Sequence, residues 1–270
     1  MSISSLVLLF VGGTVTGTIG AMLGLGGGVF LVPFLVLAFD LPMHQAIATS
    51  IIAVIATSSA GASINIERQT VNIRLGMVLE IATVTGAILG GVTANLLDGE
   101  ILRKIFAGLL LIVSIAMIWR LKMRNGDVIL HTDGSLPGTF RDEASDQTVA
   151  YTVKRLPPVM LISLLAGNIS GLLGVGGGIF KVPAMTMIAG MPIKAATATS
   201  NFMIGVTAAA SAFIYFSHGH VNPLIASPTI LGVLGGSLLG VTISQRIKGT
   251  ALTWIFAVLL LAISLQMYWR

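Results

Sequence analysis

Apolar residues in this chain fall into long blocks separated by short polar punctuation. The blocks cover residues 4–23, 29–39, 43–64, 74–97 and 101–120, then 157–173, 179–189, 193–216, 224–245 and 251–269. Crossing the ~30 Å hydrocarbon core takes about 20 apolar residues in a helix, and four blocks of each five reach that length. The second of each five does not, because about 11 residues rise only ~17 Å as a helix. Each short block lies between a glycine cluster and a Pro42 or Pro192 turn, so it reads as one limb of a broken helix. The pattern predicts an all-α integral membrane protein with four spans and one short broken helix per set of five.

The two sets are one unit repeated. A shift of 150 positions lays residues 1–120 on 151–270 without a gap. Gly24-Leu-Gly-Gly-Gly-Val-Phe30 then meets Gly174-Val-Gly-Gly-Gly-Ile-Phe180, and Val32-Pro33 meets Val182-Pro183. Ala48-Thr49-Ser50 meets Ala198-Thr199-Ser200, Val71-Asn72 meets Val221-Asn222, and Trp119-Arg120 meets Trp269-Arg270. Shared apolar composition does not align Gly, Pro, Asn, Trp and Arg, so the duplication is real. It divides the chain into a first transmembrane repeat (1–120), a polar linker (121–153) and a second repeat (154–270). Arg120, Lys122, Arg124, Lys154 and Arg155 flank the linker, which positive-inside bias puts in the cytoplasm. If each short segment carries the chain onward, a repeat holds an odd number of crossings and the second copy is inverted. Charge favours inversion, which places Arg68, Arg74, Lys194, Arg246 and Lys248 inside. Its exceptions are Arg103, Lys104 and Arg270.

Composition sharpens the class. Only 9% of residues are charged and 55% are hydrophobic, against about 25% charged in soluble domains. Such a surface belongs in a lipid bilayer, and the N-terminal block is long enough to span rather than to be cleaved. The formal net charge of +5 reflects topology rather than nucleic-acid binding. With no cysteine in the chain, disulfides, thiolate metal ligands and Cys nucleophiles are excluded. HExxH, GxSxG and Walker A patterns are missing as well. No enzyme activity, catalytic residue, metal or cofactor is expected. His218 and His220 share one loop with no third ligand expected nearby, so no metal site is expected there.

Candidate chemistry collects at the paired breaks. Matched short, Gly/Pro-interrupted segments are the best sequence pointer to a transporter's binding site, since unpaired backbone survives in a membrane only against a cavity or other protein. Gly26-Gly27-Gly28 and Gly176-Gly177-Gly178 each leave free N–H groups and a positive dipole end, which suit an anion. The alternative is that these glycines serve close helix packing. Lys181, whose repeat partner is Leu31, would add to the same positive field; its alternative is snorkelling to an interface. Thr49, Ser50, Thr199, Ser200 and Asn201 either line the cavity or bond helix to helix. Glu80, a carboxylate inside a predicted span, either relays protons as a coupling group or pairs with Arg74. Asn72 and Asn222 read as helix starts.

The run Leu23-Gly-Leu-Gly-Gly-Gly-Val-Phe-Leu-Val-Pro33, followed by Pro42 and Ala46-x-Ala-Thr-Ser50 and repeated in the second half, resembles the sulfite exporter TauE/SafE family. The resemblance covers everything but the linker. It implies a multi-pass carrier in a prokaryotic inner membrane, moving sulfite or an organosulfonate such as sulfoacetate. It also implies substrate contacts from Gly26 to Gly28, Thr49, Ser50, Gly176 to Gly178, Thr199 and Ser200. Residues alone reach a small anion; sulfur comes from the resemblance. The expectation is a secondary transporter working by alternating access, coupled to protons or sodium, with a passive anion channel as the alternative.

Overall fold

The computed structural model describes residues 2–23, 27–122, 136–142, 147–244 and 249–269. Five helices come first: α1 (Ile3–Leu23), α2 (Gly28–Phe39), α3 (Met43–Glu67), α4 (Ile73–Leu96) and α5 (Gly99–Lys122). An antiparallel hairpin follows, with β1 (Leu136–Asp142) paired to β2 (Gln147–Val153). The second set is α6 (Leu156–Leu173), α7 (Gly178–Pro183) running into a π-helical turn (Ala184–Ile188), α8 (Ile193–Ser217), α9 (Pro223–Ser244) and α10 (Gly249–Trp269). Among the described residues seven helices are long and apolar enough to cross a membrane, namely α1, α3, α4, α5, α6, α8 and α9. The last apolar block forms α10, 21 residues of helix. Both short blocks become short helices, as their length dictates.

Local sequence sets the boundaries. Pro42 and Pro192 stand just ahead of α3 and α8, where a missing N–H costs nothing. Asn72 caps α4, its Oδ1 accepting from the Leu75 N–H at 3.0 Å; Asn222 accepts from Leu224 N–H at 3.1 Å. Both asparagines therefore start helices as expected. Pro183 ends the regular α7 ladder, and the next turn widens until the Ala189 N–H reaches the Ala184 carbonyl.

Helix packing follows the small residues. Along α1 and α9, Gly13 lies against Thr229, Gly17 against Val233 and Gly236 against Thr14, so the two helices run parallel. Along α4 and α6, Gly86 lies against Leu164, Gly90 against Asn168 and Gly171 against Ala87, again parallel. A Cβ at any of these glycines would run into the neighbouring backbone. Lipid tails give apolar helices no reason to associate, so close backbone contact supplies the attraction. By contrast α3 and α8 are antiparallel: Gly61 faces Asn201, while Ser58 faces Gly205. So are α5 and α10, where Ser114 Oγ donates to the Ala257 carbonyl (2.7 Å) and Ser264 Oγ to the Ala107 carbonyl (2.8 Å). The 150-residue shift turns each of those two bonds into the other.

One element departs from the all-α expectation. Read as a polar linker, residues 121–153 give no strand, yet they hold the hairpin. Val149, Tyr151 and Val153 alternate along β2, and Tyr151, Val153 and Phe140 share a buried cluster with Leu75, Leu79, Val159 and Met185. A strand with one apolar face is stable once that face is covered. The Lys154 N–H donates to the Ala189 carbonyl at 3.1 Å, and Asn72 Nδ2 donates to the Tyr151 hydroxyl at 3.1 Å. The hairpin is thus seated over the start of α4 and the end of the π-helical turn.

Candidate functional site

The two glycine breaks converge. Gly27 (φ 78°), and Gly174, Gly176 and Gly177 (φ 70°, 78° and 68°), adopt the left-handed conformation that glycine accepts without strain. A Cβ on Gly28 would meet the Gly174 carbonyl and, at 2.8 Å, Ser50 Oγ. Gly176 touches Val54 of α3 and Ile204 of α8. The first break therefore lies against the middle of α3, and the second between the middles of α3 and α8. The carbonyls freed where α6 stops are collected by side chains: Ser50 Oγ donates to Gly174 O at 2.8 Å, and the buried Tyr215 hydroxyl lies 3.1 and 3.2 Å from Gly171 O and Leu172 O. Backbone at a break inside a membrane needs such partners. Gly26 lies outside the described residues.

Lys181 does not snorkel. Its side chain is 0% exposed, and Nζ donates to Thr207 Oγ1 at 3.0 Å. Thr207 in turn lies 2.6 Å from Glu80 Oε1 and 2.9 Å from the Met203 carbonyl. Glu80 comes from α4, Lys181 from α7 and Thr207 from near the midpoint of α8. The carboxylate turns to this cluster rather than to Arg74, which is exposed. Glu80 Oε2 is buried without a hydrogen-bond partner among the described residues. Thr207 is the member that sequence reading misses. A lone threonine inside an apolar helix carries no signal, although it is one of the residues matched in the repeat, opposite Thr57.

The remaining candidates divide into three settings. Ser50 bonds the second break, as above. Thr199 Oγ1 accepts from the Asn72 N–H at 2.9 Å, one step from the hairpin's Tyr151, and the Asn201 carbonyl accepts from Ser58 Oγ. Thr49 Oγ1 and Ser200 Oγ are buried without partners among the described residues, as is Ser163 Oγ. The two Ala-Thr-Ser segments stand apart along α3 and α8: Ser50 is roughly 12 Å up α3 from Ser58, the residue facing Asn201. They flank the centre from opposite ends. A groove of about 310 Å³ lies elsewhere, lined by Thr16, Phe30, Pro33, Phe34 and Ile263 among others, and includes no candidate residue.

A second cluster caps one end of the molecule. The His44 ring stacks on His220 with centroids 4.9 Å apart, and His218 lies 6.2 Å from His220. A third imidazole thus does approach the loop pair, contrary to the sequence-level expectation, but the ring nitrogens face protein acceptors: His220 Nε2 faces Asn95 Oδ1 (2.8 Å) and His44 Nε2 faces the Ala94 carbonyl (2.9 Å). No His/Cys/Asp/Glu group suited to a metal occurs among the described residues. Burial and the two neighbouring rings hold the His220 imidazole below its ordinary value.

Comparison with known proteins adds a family. The family model described as Sulfite exporter TauE/SafE matches residues 9–267. A probable membrane transporter protein of Bacillus subtilis, YunE, is 29% identical over 98% of both chains. A probable membrane transporter protein of Xylella fastidiosa strain 9a5c is 28% identical over 100% of this chain and 97% of its own. One from Methanocaldococcus jannaschii, MJ0441, is 28% identical over 90% and 88%. No solved structure matches the chain.

Proposed function

We propose that this chain, which belongs to the sulfite exporter TauE/SafE family and is a membrane transporter, carries a small sulfur-containing anion such as sulfite or sulfoacetate by alternating access between two inverted repeats. The observation that carries the reading is the meeting of both helix breaks and the Lys181 cluster at the middle of α3 and α8. Free N–H groups and one ammonium in a place lined by hydroxyls favour an oxyanion over a cation. Inversion is supported by direction: α3 and α8 are repeat counterparts and run antiparallel, as do α5 and α10. Rocking one repeat against the other around a fixed central site is the movement this architecture suits. A prokaryotic inner membrane is the location we infer from the bacterial and archaeal relatives. Neither catalysis nor a cofactor enters the reading.

Uptake of radiolabelled sulfite and sulfoacetate into proteoliposomes, with sulfate and chloride as competitors, tests it. The expected outcome is saturable uptake that trans-loaded unlabelled anion accelerates. Flux that rises linearly with concentration would identify a passive channel instead, and no flux above empty liposomes would remove the anion reading.

A further inference from the structure

We propose that Glu80 is a proton site tied to anion occupancy at Lys181, making the protein a symporter of one proton with each anion; this rests on the carrier reading above. The first argument is charge. With its central site empty, the cluster holds one carboxylate and one ammonium and is neutral. A monovalent anion arriving at Lys181 adds one negative charge beside the Glu80 carboxylate, in a setting where unpaired charge is costly. One proton on Glu80 restores neutrality, so the loaded cluster is a carboxylic acid, an ammonium and an anion. Empty and fully loaded states are then both neutral and free to reorient, while each half-loaded state carries a net buried charge.

The second argument is the hydrogen bonding. Glu80 Oε2 is buried without a hydrogen-bond partner among the described residues, the nearby Thr83 hydroxyl being given to the Leu79 and Glu80 carbonyls. This is a costly setting for an ionised oxygen and a ready landing place for a proton. The Thr207 hydroxyl has one proton and two acceptors, Glu80 Oε1 and the Met203 carbonyl. When Glu80 is protonated, this hydroxyl can turn to Met203 and keep a bond, so loading leaves no donor stranded. Thr207 takes one of three N–H groups on Lys181, which leaves donors for the anion.

The third argument comes from the repeat. Shifted by 150 residues, Thr207 maps to Thr57, Lys181 to Leu31 and Glu80 to Ile230. The counterpart cluster keeps the threonine and lacks both charges, with Leu31 fully buried. This architecture packs there without an ion pair, so its fold does not demand one at Lys181 and Glu80. The charged groups facing Glu80 are few. Lys181 comes from α7, α6 offers no ionisable side chain, and the hairpin's Tyr151 is engaged by Asn72 about two turns away.

The test counts protons against anions. Proteoliposomes holding an internal pH dye take up labelled methanesulfonate, a monovalent sulfur oxyanion that stays ionised at neutral pH, so that any acidification comes from the protein. Wild type should move one proton per anion. Glu80→Gln, whose unloaded cluster keeps an uncompensated ammonium, should lose net uptake but keep anion exchange with a proton ratio falling towards zero, and Glu80→Asp should restore the ratio. Glu80→Gln/Lys181→Met, which removes both charges together and so guards against misfolding from an unpaired one, should stay monodisperse and lose saturable uptake. Wild-type uptake without acidification, or an unchanged proton ratio in Glu80→Gln, overturns the coupling and leaves the carrier standing. Wild type that takes up none of the anions in the panel overturns the carrier, and the coupling with it.

Discussion

His44, His218 and His220 meet although the first is far from the others in sequence. Only the antiparallel course of α3 against α8 brings the start of one to the end of the other. A lowered His220 value has a definite sign in stability. The docked loop favours the neutral imidazole and the undocked loop takes the proton more readily. The contribution is therefore present above the ordinary value of 6.5 and lost as pH falls below it, through the docked value. Melting of the detergent-solubilised protein, followed from about pH 7.5 to about pH 5.5, should show less acid loss for His220→Gln than for wild type; equal slopes would remove this assignment. Residue identity made Lys181 and Glu80 legible as candidates, because ionisable groups inside spans are rare. Their meeting was not legible, since it depends on three helices drawn from both repeats. The repeat does hold a clue, because both charges vanish together at Leu31 and Ile230.

At the scale of elements, blocks of apolar residues bounded by Gly, Pro and Asn marked the helices to within a few residues. Bilayer thickness fixes their length, and punctuation fixes their ends. The hairpin escaped because β2 is seven residues long and its alternation is set in a polar stretch; only the cover supplied by α4, α6 and the π-helical turn makes its apolar face count. Small residues spaced four apart, such as Gly232, Gly236 and Gly240, decide which helices touch. Replacing Gly236 with valine forces bulk against the Thr14 backbone and should cost about 1–3 kcal/mol or more, read as a drop in melting temperature. The same change at Gly235, where a Cβ meets nothing within 4 Å, should leave the melting temperature near wild type.

At the scale of the whole molecule, the absence of native cysteine makes orientation measurable. Arg68 and His218 are repeat counterparts, and both are exposed. In an inverted pair, Arg68→Cys and His218→Cys should react with a membrane-impermeant maleimide from opposite faces of sealed vesicles; labelling from the same face would show parallel repeats. The exchange of partners between halves also bears on how the chain is made. Because α1 lies on α9 and α4 on α6, neither half encloses its own contacts. During synthesis α1 enters the bilayer long before its neighbour exists, and it has to wait there until Pro223–Ser244 leaves the ribosome. A nascent chain stopped in the linker is thus an orphan for membrane quality control, whereas two separately made halves have what they need to find each other.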